Sequence, residues 1–389
     1  MKSSTAANLA VLFIITMQIV FAVAQRSQAA LDTPESVLKF LEKEISTQSD
    51  SISLVVGTAN EDGSLEEDFS YNADAALPLA STIKIVVLAA YAQEVAEGNL
   101  DPQTPVSTAE WEAYYLPYTD GGMHPVALDM LGIETDELGF AQAEQDVTLN
   151  DIATAMIRES DNAATDYLVN LVGEEALQRV IDENNLEAQD LPISILGTYL
   201  AGQNHTEPTL EPYTYTEIRE SAAEYQDLYL NDSAWREAEI EWLQTLTTFG
   251  SYAEQVEAGQ GFARGSADDY AKIMAGVMTE TFVSPEVSRV MRPILEWPMQ
   301  IPGNGEAYET FGAKGGNLLG ILTDTFYLRP KSGDYADENR IVILFLNELR
   351  EQNYNDLIAS GGAHQLAMLE LATDSQTLEP LLEAQQMSE

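Results

Sequence analysis

The order of strand-like and helix-like segments predicts an α+β fold, with an antiparallel sheet flanked by helices and joined to a helical subdomain. Two strand-like segments near the start are followed by many helical segments, then by three more strands and a closing helix. Strands and helices grouped in this way are typical of α+β domains. We expect residues 31–75 and 300–372 to form the sheet part and residues 76–299 the helical part.

The first 30 residues have the pattern of a secretory signal peptide. Lys2 precedes an apolar stretch over residues 9–23, and Ala22-Val23-Ala24 supplies small residues for cleavage. The alternative is an uncleaved membrane anchor, although the stretch is slightly short for a span. We expect an exported protein, periplasmic or secreted, that meets a membrane only through this segment. The chain has no cysteine, so its folding outside the cell would need no disulfide.

The charge balance is strongly acidic. The chain has 64 acidic and 18 basic residues, which gives a formal net charge of −46. Nucleic acid is excluded as a partner because no basic surface is available to displace its counterions. Since the acidic residues are spread along the chain, they indicate a solvated and self-repelling surface. We expect a monomer.

The segments before the helical part are predicted as a helix and a hairpin. Residues 33–46 have an amphipathic helical pattern, and residues 53–58 and 67–71 have strand patterns on either side of a turn. Residues 77–101 (LPLASTIKIVVLAAYAQEVAEGNLD) then contain an almost unbroken apolar run with Ser81 as its expected N-cap. A helix that is apolar on nearly every face is buried, so this one is predicted to be the centre of the helical subdomain.

The later elements follow from the same patterns. Helices are predicted at 148–158, 163–171, 174–183, 266–278 and 354–372, and strands at 307–313, 321–328 and 340–347. Residues 200–262 are predicted to be an acidic helical insertion whose aromatic side chains form a local core. Residues 373–389 are expected to be a loose polar tail.

Two polar residues interrupt the first turn of the central helix, Ser81 and Lys84. Residues three apart lie on one helix face, and a desolvated lysine has a lowered pKa that would let it take the serine proton. The pattern alone is weak, because Ser36 and Lys39 repeat it on a surface helix. Read alone, Ser81 and Lys84 would be a helix cap and a lysine that reaches solvent.

Two further segments carry polar groups that suit a reaction centre. Ser160-Asp161-Asn162 lies between two predicted helices, where it could project into a cleft or simply cap the second helix. Lys314-Gly315-Gly316 follows a strand-like segment, and by itself it is an ordinary lysine at the start of a turn.

In this order the three motifs resemble those of the serine β-lactamase and penicillin-binding protein superfamily, and most closely those of class A β-lactamases. The segments LPLASTIK and TLNDIATAMIRESDNAATDYLVNLVG are similar to the family sequences around its first two motifs. The resemblance extends over residues 33–372. It implies a serine hydrolase that cleaves a β-lactam, or a related cyclic or peptidyl amide, through an acyl-enzyme.

The resemblance also implies roles for individual residues. Ser81 would be the acylated nucleophile, Lys84 its base or proton shuttle, and Ser160 the proton relay to the leaving nitrogen. The substrate would be bound by Asn162, Lys314, Gly316 and Asn317, with the backbone N–H groups of Ser81 and Asn317 forming the oxyanion hole. Acyl transfer from an amide needs a nucleophile, a base, a proton for the leaving group and oxyanion donors, and this set provides them.

The sequence departs from the family pattern in two places. Gly315 stands where the family has a hydroxyl-bearing residue that helps to bind a carboxylate. The loop that carries the deacylating glutamate in class A enzymes should lie near residues 189–204, which contain only Asp190 as an acid. Glu207 and Glu211 lie just beyond it. We therefore expect deacylation to be slow unless one of these two glutamates replaces the missing base.

Two other functions remain open on the same residues. One is a peptidoglycan D,D-peptidase or an esterase or amidase, which the missing glutamate favours. The other is a catalytically silent binding or sensor domain. No cofactor and no metal are expected, because His124, His205 and His364 are isolated and fit no ligand spacing.

Overall fold

A computed structural model describes residues 31–388, so the predicted signal peptide lies outside the described residues. The strands are β1 (Ile52–Ala59), β2 (Leu65–Tyr71), β3 (Leu77–Pro78), β4 (Pro105–Ser107), β5 (Asp146–Thr148), β6 (Arg264–Gly265), β7 (Tyr308–Leu318), β8 (Ile321–Pro330) and β9 (Arg340–Leu346). The helices are α1 (Pro34–Ser46), α2 (Lys84–Ala96), α3 (Thr108–Glu112), α4 (Met123–Met130), α5 (Leu149–Arg158), α6 (Asn162–Glu183), α7 (Ile195–Gly202), α8 (Tyr215–Asn231), α9 (Ser233–Thr245), α10 (Tyr252–Gly259), α11 (Ala267–Met278), α12 (Pro285–Leu295), α13 (Asn304–Ala307), α14 (Glu351–Ala359), α15 (Ala363–Thr373) and α16 (Glu379–Ser388). Every helix within residues 31–388 is too short or too polar to cross a membrane.

The chain divides into two compact units. The first runs up to Thr82 and resumes at Gly265, and the second covers Ile83–Arg264. The helical unit therefore ends at Arg264, whereas the sequence predicted residue 299. The difference arises because α11 is buried against β1, β8 and β9, and α12 packs on α11. Both helices thus belong with the sheet.

The first unit is built on a five-stranded antiparallel sheet in the order β2-β1-β9-β8-β7. Every residue of β9 is buried, because helices cover both faces of the sheet. On one face Tyr270 of α11 meets Phe345 of β9, with ring centroids 5.6 Å apart. On the other face Gln365 of α15 bonds Asp324 of β8 at 2.9 Å. The predicted α+β class, with one antiparallel sheet flanked by helices, is confirmed.

The C-terminal region differs from the sequence prediction in two ways. The single helix predicted over 354–372 is two helices, because Gly361 and Gly362 between α14 and α15 adopt left-handed φ values of 69° and 114°. The tail predicted to be loose contains α16, which packs against α1. Leu381 and Ala384 are buried, so the segment has an apolar face that the polar composition of residues 373–389 concealed.

The second unit is organised around α2, as predicted. All residues from Lys84 to Gln93 are buried, and α2 packs against α5 and α6. The two helices predicted at 163–171 and 174–183 form α6, which is interrupted at Gly173 by a left-handed φ of 77°. The apolar run of α2 thus reflects its burial on all sides.

The insertion forms helices α8, α9 and α10, which follow α7 in the chain. Tyr229 and Leu243 from these helices join Leu116, Leu196 and Leu200 in a small buried cluster. Tyr225, Trp235 and Trp242 pack against it. The aromatic residues of the insertion therefore form a local core, as the sequence indicated.

Candidate active site

Ser81 lies in a short 3-10 helix (Ala80–Ile83) directly before α2. The sequence predicted Ser81 as the N-cap of the central helix. This is wrong, because α2 begins at Lys84 and its N-cap residue is Ile83. Ala80 has a left-handed φ of 46°, which is strained for a residue with a side chain. Strain of this kind persists only where the surrounding structure holds it in place, and it clusters at functional sites.

The backbone around Ser81 is held against the sheet by Thr82 and Thr323. The Thr323 hydroxyl donates to the Leu79 carbonyl at 2.8 Å, and its oxygen lies 2.7 Å from the Thr82 hydroxyl. Gly316 on β7 lies against the same stretch of backbone. A Cβ at Gly316 would come within 2.7 Å of the Ser81 nitrogen and 2.6 Å of the Leu79 oxygen. Only a glycine permits this approach. The role of Gly316 in substrate binding stays a prediction.

Lys314, Gly316 and Asn317 all lie within β7, and the turn predicted to start at Lys314 begins only after Leu318. Lys314 is almost completely buried, and its Nζ donates to the Gly315 carbonyl at 2.5 Å. The Asn317 side chain accepts a 2.7 Å hydrogen bond from the Tyr354 hydroxyl on α14. The first unit thus contains Ser81, Lys314, Gly316 and Asn317, with Gly316 directly beside the Ser81 backbone.

The absence of a hydroxyl at Gly315 has a packing explanation. Gly315 pairs with Asp324 across β7 and β8, and a Cβ at Gly315 would lie 2.7 Å from the Asp324 carboxylate. Asp324 is buried, and it is held by Gln365 at 2.9 Å and by His364 at 3.2 Å. Any side chain at position 315 would have to displace this carboxylate.

The second unit brings Lys84, Ser160 and Asn162 together. Lys84 is fully buried, and its Nζ donates to the Ser160 carbonyl at 2.5 Å and to Asn162 Oδ1 at 2.7 Å. The Ser160 hydroxyl lies 3.4 Å from the same nitrogen. Burial lowers the pKa of Lys84 to about 8, against the opposing effect of nearby aspartates. Lys84 can therefore exchange a proton near neutral pH, which an ordinary surface lysine cannot do.

The Ser160-Asp161-Asn162 turn has a defined backbone. Ser160 has a left-handed φ of 61°, and Asp161 caps α6 by accepting a 2.9 Å hydrogen bond from the Ala164 N–H. The capping interpretation of this motif is thus correct for Asp161. The residues on either side of Asp161 supply the two acceptors for Lys84.

Sequence reasoning missed His124, which it treated as isolated. His124 is fully buried on α4, and its Nδ1 lies 2.7 Å from the Asp161 carboxylate. Burial by itself lowers the pKa of His124, but Asp161, with Glu112 and Asp120, outweighs it and raises the pKa to about 9. His124 and Asp161 are separated by 37 positions in the sequence, which hides the pair from motif analysis. An unassigned histidine in a chain with only three was the one available signal.

Sequence reasoning also missed Asp166, which fixes the start of α7. Its carboxylate accepts the N–H groups of Ile195 and Leu196, both at 2.7 Å. Burial raises the pKa of Asp166 to about 7, although these hydrogen bonds and Lys84 oppose the shift. A recess with room for about one water molecule lies beside it and is also lined by Asp120 and Asn162.

The acids considered as replacements for the missing glutamate have other partners or lie at the surface. Asp190 accepts the Arg264 N–H at 2.9 Å and also faces its guanidinium. The Glu207 carboxylate accepts the Tyr225 hydroxyl at 2.8 Å. Glu211 is exposed. Among residues 31–388, no group of three or more His, Asp or Glu side chains is placed to hold a metal ion.

The fold is similar to that of a solved β-lactamase. A β-lactamase from Sphaerobacter thermophilus DSM 20745 matches with a TM-score of 0.51 and 17% identity, over 86% of this chain and 96% of that one. A representative class A β-lactamase from Bacteroides cellulosilyticus DSM 14838 has a TM-score of 0.49 and 12% identity, over 87% and 99% of the two chains. A single-site mutant of PBP-A, solved as an acyl-enzyme complex with penicillin G, has a TM-score of 0.47 and 14% identity, over 86% and 97%.

The comparison at the level of sequence agrees with the fold. No curated protein sequence matches the chain. A family profile described as the beta-lactamase enzyme family matches residues 39–360, which include all three motifs and extend into both compact units. The chain belongs to the beta-lactamase enzyme family.

Proposed function

We propose that this protein is an exported serine hydrolase that opens a β-lactam, or a related cyclic or peptidyl amide, through an acyl-enzyme on Ser81. The observation that carries the proposal is the state of Lys84. Its ammonium is fully buried between Ser160 and Asn162, and its pKa is lowered to about 8. A lysine in this state is suited to act as a general base, and the serine three residues before it is the nucleophile implied by the family motif.

The proposed reaction gives each site residue one task. The Ser81 hydroxyl adds to the amide carbonyl and gives its proton to Lys84. The N–H groups of Ser81 and Asn317 receive the developing oxyanion. Ser160 passes a proton to the leaving nitrogen as the C–N bond breaks, which leaves an ester on Ser81. Asn162 and Lys314 orient the substrate, and Lys314 does so by facing the carboxylate of the substrate. Water then attacks the ester, which releases the acid product and regenerates the Ser81 hydroxyl.

A peptidoglycan D,D-peptidase, or an esterase or amidase, is the second candidate, and the partners of the acids support it. Asp190 is paired with Arg264, and Glu207 is bound to Tyr225. Neither carboxylate is left as an evident base for the water that would hydrolyse a penicilloyl ester. Loss of such a base slows a step by about 10²–10⁴-fold. With β-lactams, formation of the acyl-enzyme should therefore be fast and its breakdown slow.

Stopped-flow mixing with a chromogenic cephalosporin, set beside labelling by a fluorescent penicillin, tests these alternatives. We expect a stoichiometric burst followed by slow turnover, with one label per chain. The opposite result is linear turnover without a burst, with that turnover abolished by Glu207→Gln or Glu211→Gln. It would place the base in the insertion and contradict slow deacylation. Neither turnover nor labelling would favour a silent binding domain and refute the proposed hydrolase.

Export and a monomeric state are part of the proposal. Export rests on the signal-like pattern of residues 1–30, and a periplasmic or secreted location would give access to peptidoglycan-type peptides and to β-lactams. The strongly negative net charge favours a monomer through mutual repulsion. N-terminal sequencing of the exported protein would show whether the segment is removed, and light scattering would give its mass in solution.

A further inference from the structure

A buried histidine–aspartate pair lies behind the Ser160–Asn162 turn and takes no part in the reaction described above. His124 on α4 and Asp161 at the start of α6 are both fully buried, and Nδ1 lies 2.7 Å from Oδ2. The ring of His124 stacks on Tyr115 at 4.2 Å and meets the edge of Trp111 at 5.1 Å. These ring contacts pack the imidazole with its Nδ1 towards Asp161.

Asp161 connects this pair to Lys84 through the residues on either side of it. Its Oδ1 caps α6 through the Ala164 N–H, so both oxygens of the carboxylate are bound. The neighbouring residues supply the Ser160 carbonyl and Asn162 Oδ1, which hold the Lys84 ammonium at 2.5 Å and 2.7 Å. Asp161 and the two acceptors of Lys84 thus belong to three consecutive residues of one turn.

The charges around the two basic groups are mostly acidic. His124 faces Asp161 from α6, Glu112 from α3 at 3.6 Å, and Asp120 from the preceding loop. These carboxylates raise the pKa of His124 to about 9, so it is a cation at neutral pH. Lys84 faces Asp161, Asp166 and Asp120, and each of these carboxylates favours its charged form. Asp161 acts on both groups: it is hydrogen-bonded to His124, and the residues on either side of it hold Lys84.

We propose that His124 is a positioning residue which, as an imidazolium, fixes the Asp161 carboxylate and offsets its charge, so that the nearby Lys84 can lose its proton. The inference rests on the proposed function only in so far as Lys84 is the base. Without the imidazolium, the uncompensated Asp161 would stabilise the ammonium form of Lys84 and reduce the fraction available as a base. A purely structural histidine would have no such effect on Lys84.

The test measures the pKa of Lys84 directly in the full chain, by NMR of protein labelled at lysine. The chain has only seven lysines, and Lys84→Arg assigns the signal. In His124→Asn, a neutral amide donor replaces Nδ1, and we expect the pKa of Lys84 to rise by about one unit. In Asp161→Asn the pKa should fall by a similar amount. Acylation by fluorescent penicillin at pH 7 should be about tenfold slower in His124→Asn.

His205→Asn is the matched control. His205 pairs with Glu239 in the insertion at the same 2.7 Å distance, but it faces no group that acts on Lys84. Its loss should leave the pKa of Lys84 unchanged. Equal Lys84 values in the wild type and in the His124 and Asp161 variants would overturn the proposal. So would a shift in the same direction in both variants, because a general disturbance of the fold would produce it.

A second measurement uses the unaltered protein and decides the matter if His124→Asn fails to fold. The three histidines are titrated by imidazole ¹⁵N NMR, and His124 should stay protonated up to about pH 9. A His124 that is neutral at pH 7 would refute the proposal. If the Lys84 shifts appear as expected but no variant or wild type is ever acylated, the charge coupling stands and the proposed hydrolase is wrong.

Discussion

Replacement of Asp166 by Asn is expected to remove a loss of stability that the wild type undergoes between pH 5 and pH 8. Asp166 is only 1% exposed, and its two oxygens accept the N–H groups of Ile195 and Leu196. Burial raises the pKa of this carboxyl to about 7 from its usual 3.8, despite those hydrogen bonds. The folded protein therefore resists ionisation of a group that ionises freely when the chain is unfolded.

The sign and size of the effect follow from that difference. Between about pH 4 and pH 7 the folded state keeps a proton that the unfolded state has lost, so the contribution of Asp166 to stability is full at low pH and is lost as the pH rises through about 7. From pH 5 to pH 8 the loss in the free energy of unfolding is roughly 3 kcal/mol. An asparagine does not titrate. Its amide oxygen can accept only one of the two N–H groups at the start of α7, so the variant also loses one hydrogen bond at every pH.

Urea unfolding of the wild type and Asp166→Asn at pH 5 and pH 8 measures this difference. We expect the free energy of unfolding of the variant, relative to that of the wild type, to rise by roughly 3 kcal/mol between pH 5 and pH 8. Asp190→Asn is the control, because it makes the same chemical change at a carboxylate that is partly exposed beside Arg264. Equal destabilisation by Asp166→Asn at both pH values would show that α7 needs the charge, and would refute the reasoning.

Two further predictions concern the proposed acyl-enzyme. Peptide mass mapping after penicillin treatment should find the adduct on Ser81, while Ser36 stays unmodified because it is bound to Thr33 in the cap of α1; an adduct elsewhere would exclude Ser81 as the nucleophile. Lys84→Ala should slow acylation by about 10²–10⁴-fold with an unchanged circular dichroism spectrum. In the wild type the acylation rate should rise with pH and level off above about 8, where Lys84 is neutral, and a flat profile would contradict its role as a base.

The parts of the fold that the sequence predicted are those with a strong local signal. The apolar run after Lys84 has no polar face, and α2 is indeed buried on all sides. The start of α1 at Thr33 and the start of α5 at Thr148 follow from capping boxes, which act over three residues. Errors occurred where the deciding partner is distant. The length of β7 depends on its pairing with β8, and the order in α16 depends on its packing on α1.

The residues of the candidate site likewise fall into those that the sequence predicted and those that it missed. Lys84, Ser160 and Asn162 carry a recognisable order in the chain, and the structure brings them together. His124 and Asp166 carry none, because an isolated histidine and one aspartate among many acids have no local pattern. Their importance comes from burial, which converts ordinary titratable groups into ones with pKa values of about 9 and about 7. The spacing of residues in the sequence does not show which individual titratable side chains are buried.

The departure at Gly315 shows how a motif position can be decided by a strand partner. Asp324 lies opposite Gly315, and its carboxylate fills the space that a side chain at position 315 would need. That carboxylate cannot simply turn away, because Gln365 and His364 of α15 hold its two oxygens in a buried place. An unpaired buried carboxylate is costly, so a change at Gly315 alone would clash, and a change at Asp324 alone would leave His364 without its partner. The two positions must therefore change together, and the missing hydroxyl is a consequence of the polar core behind β7.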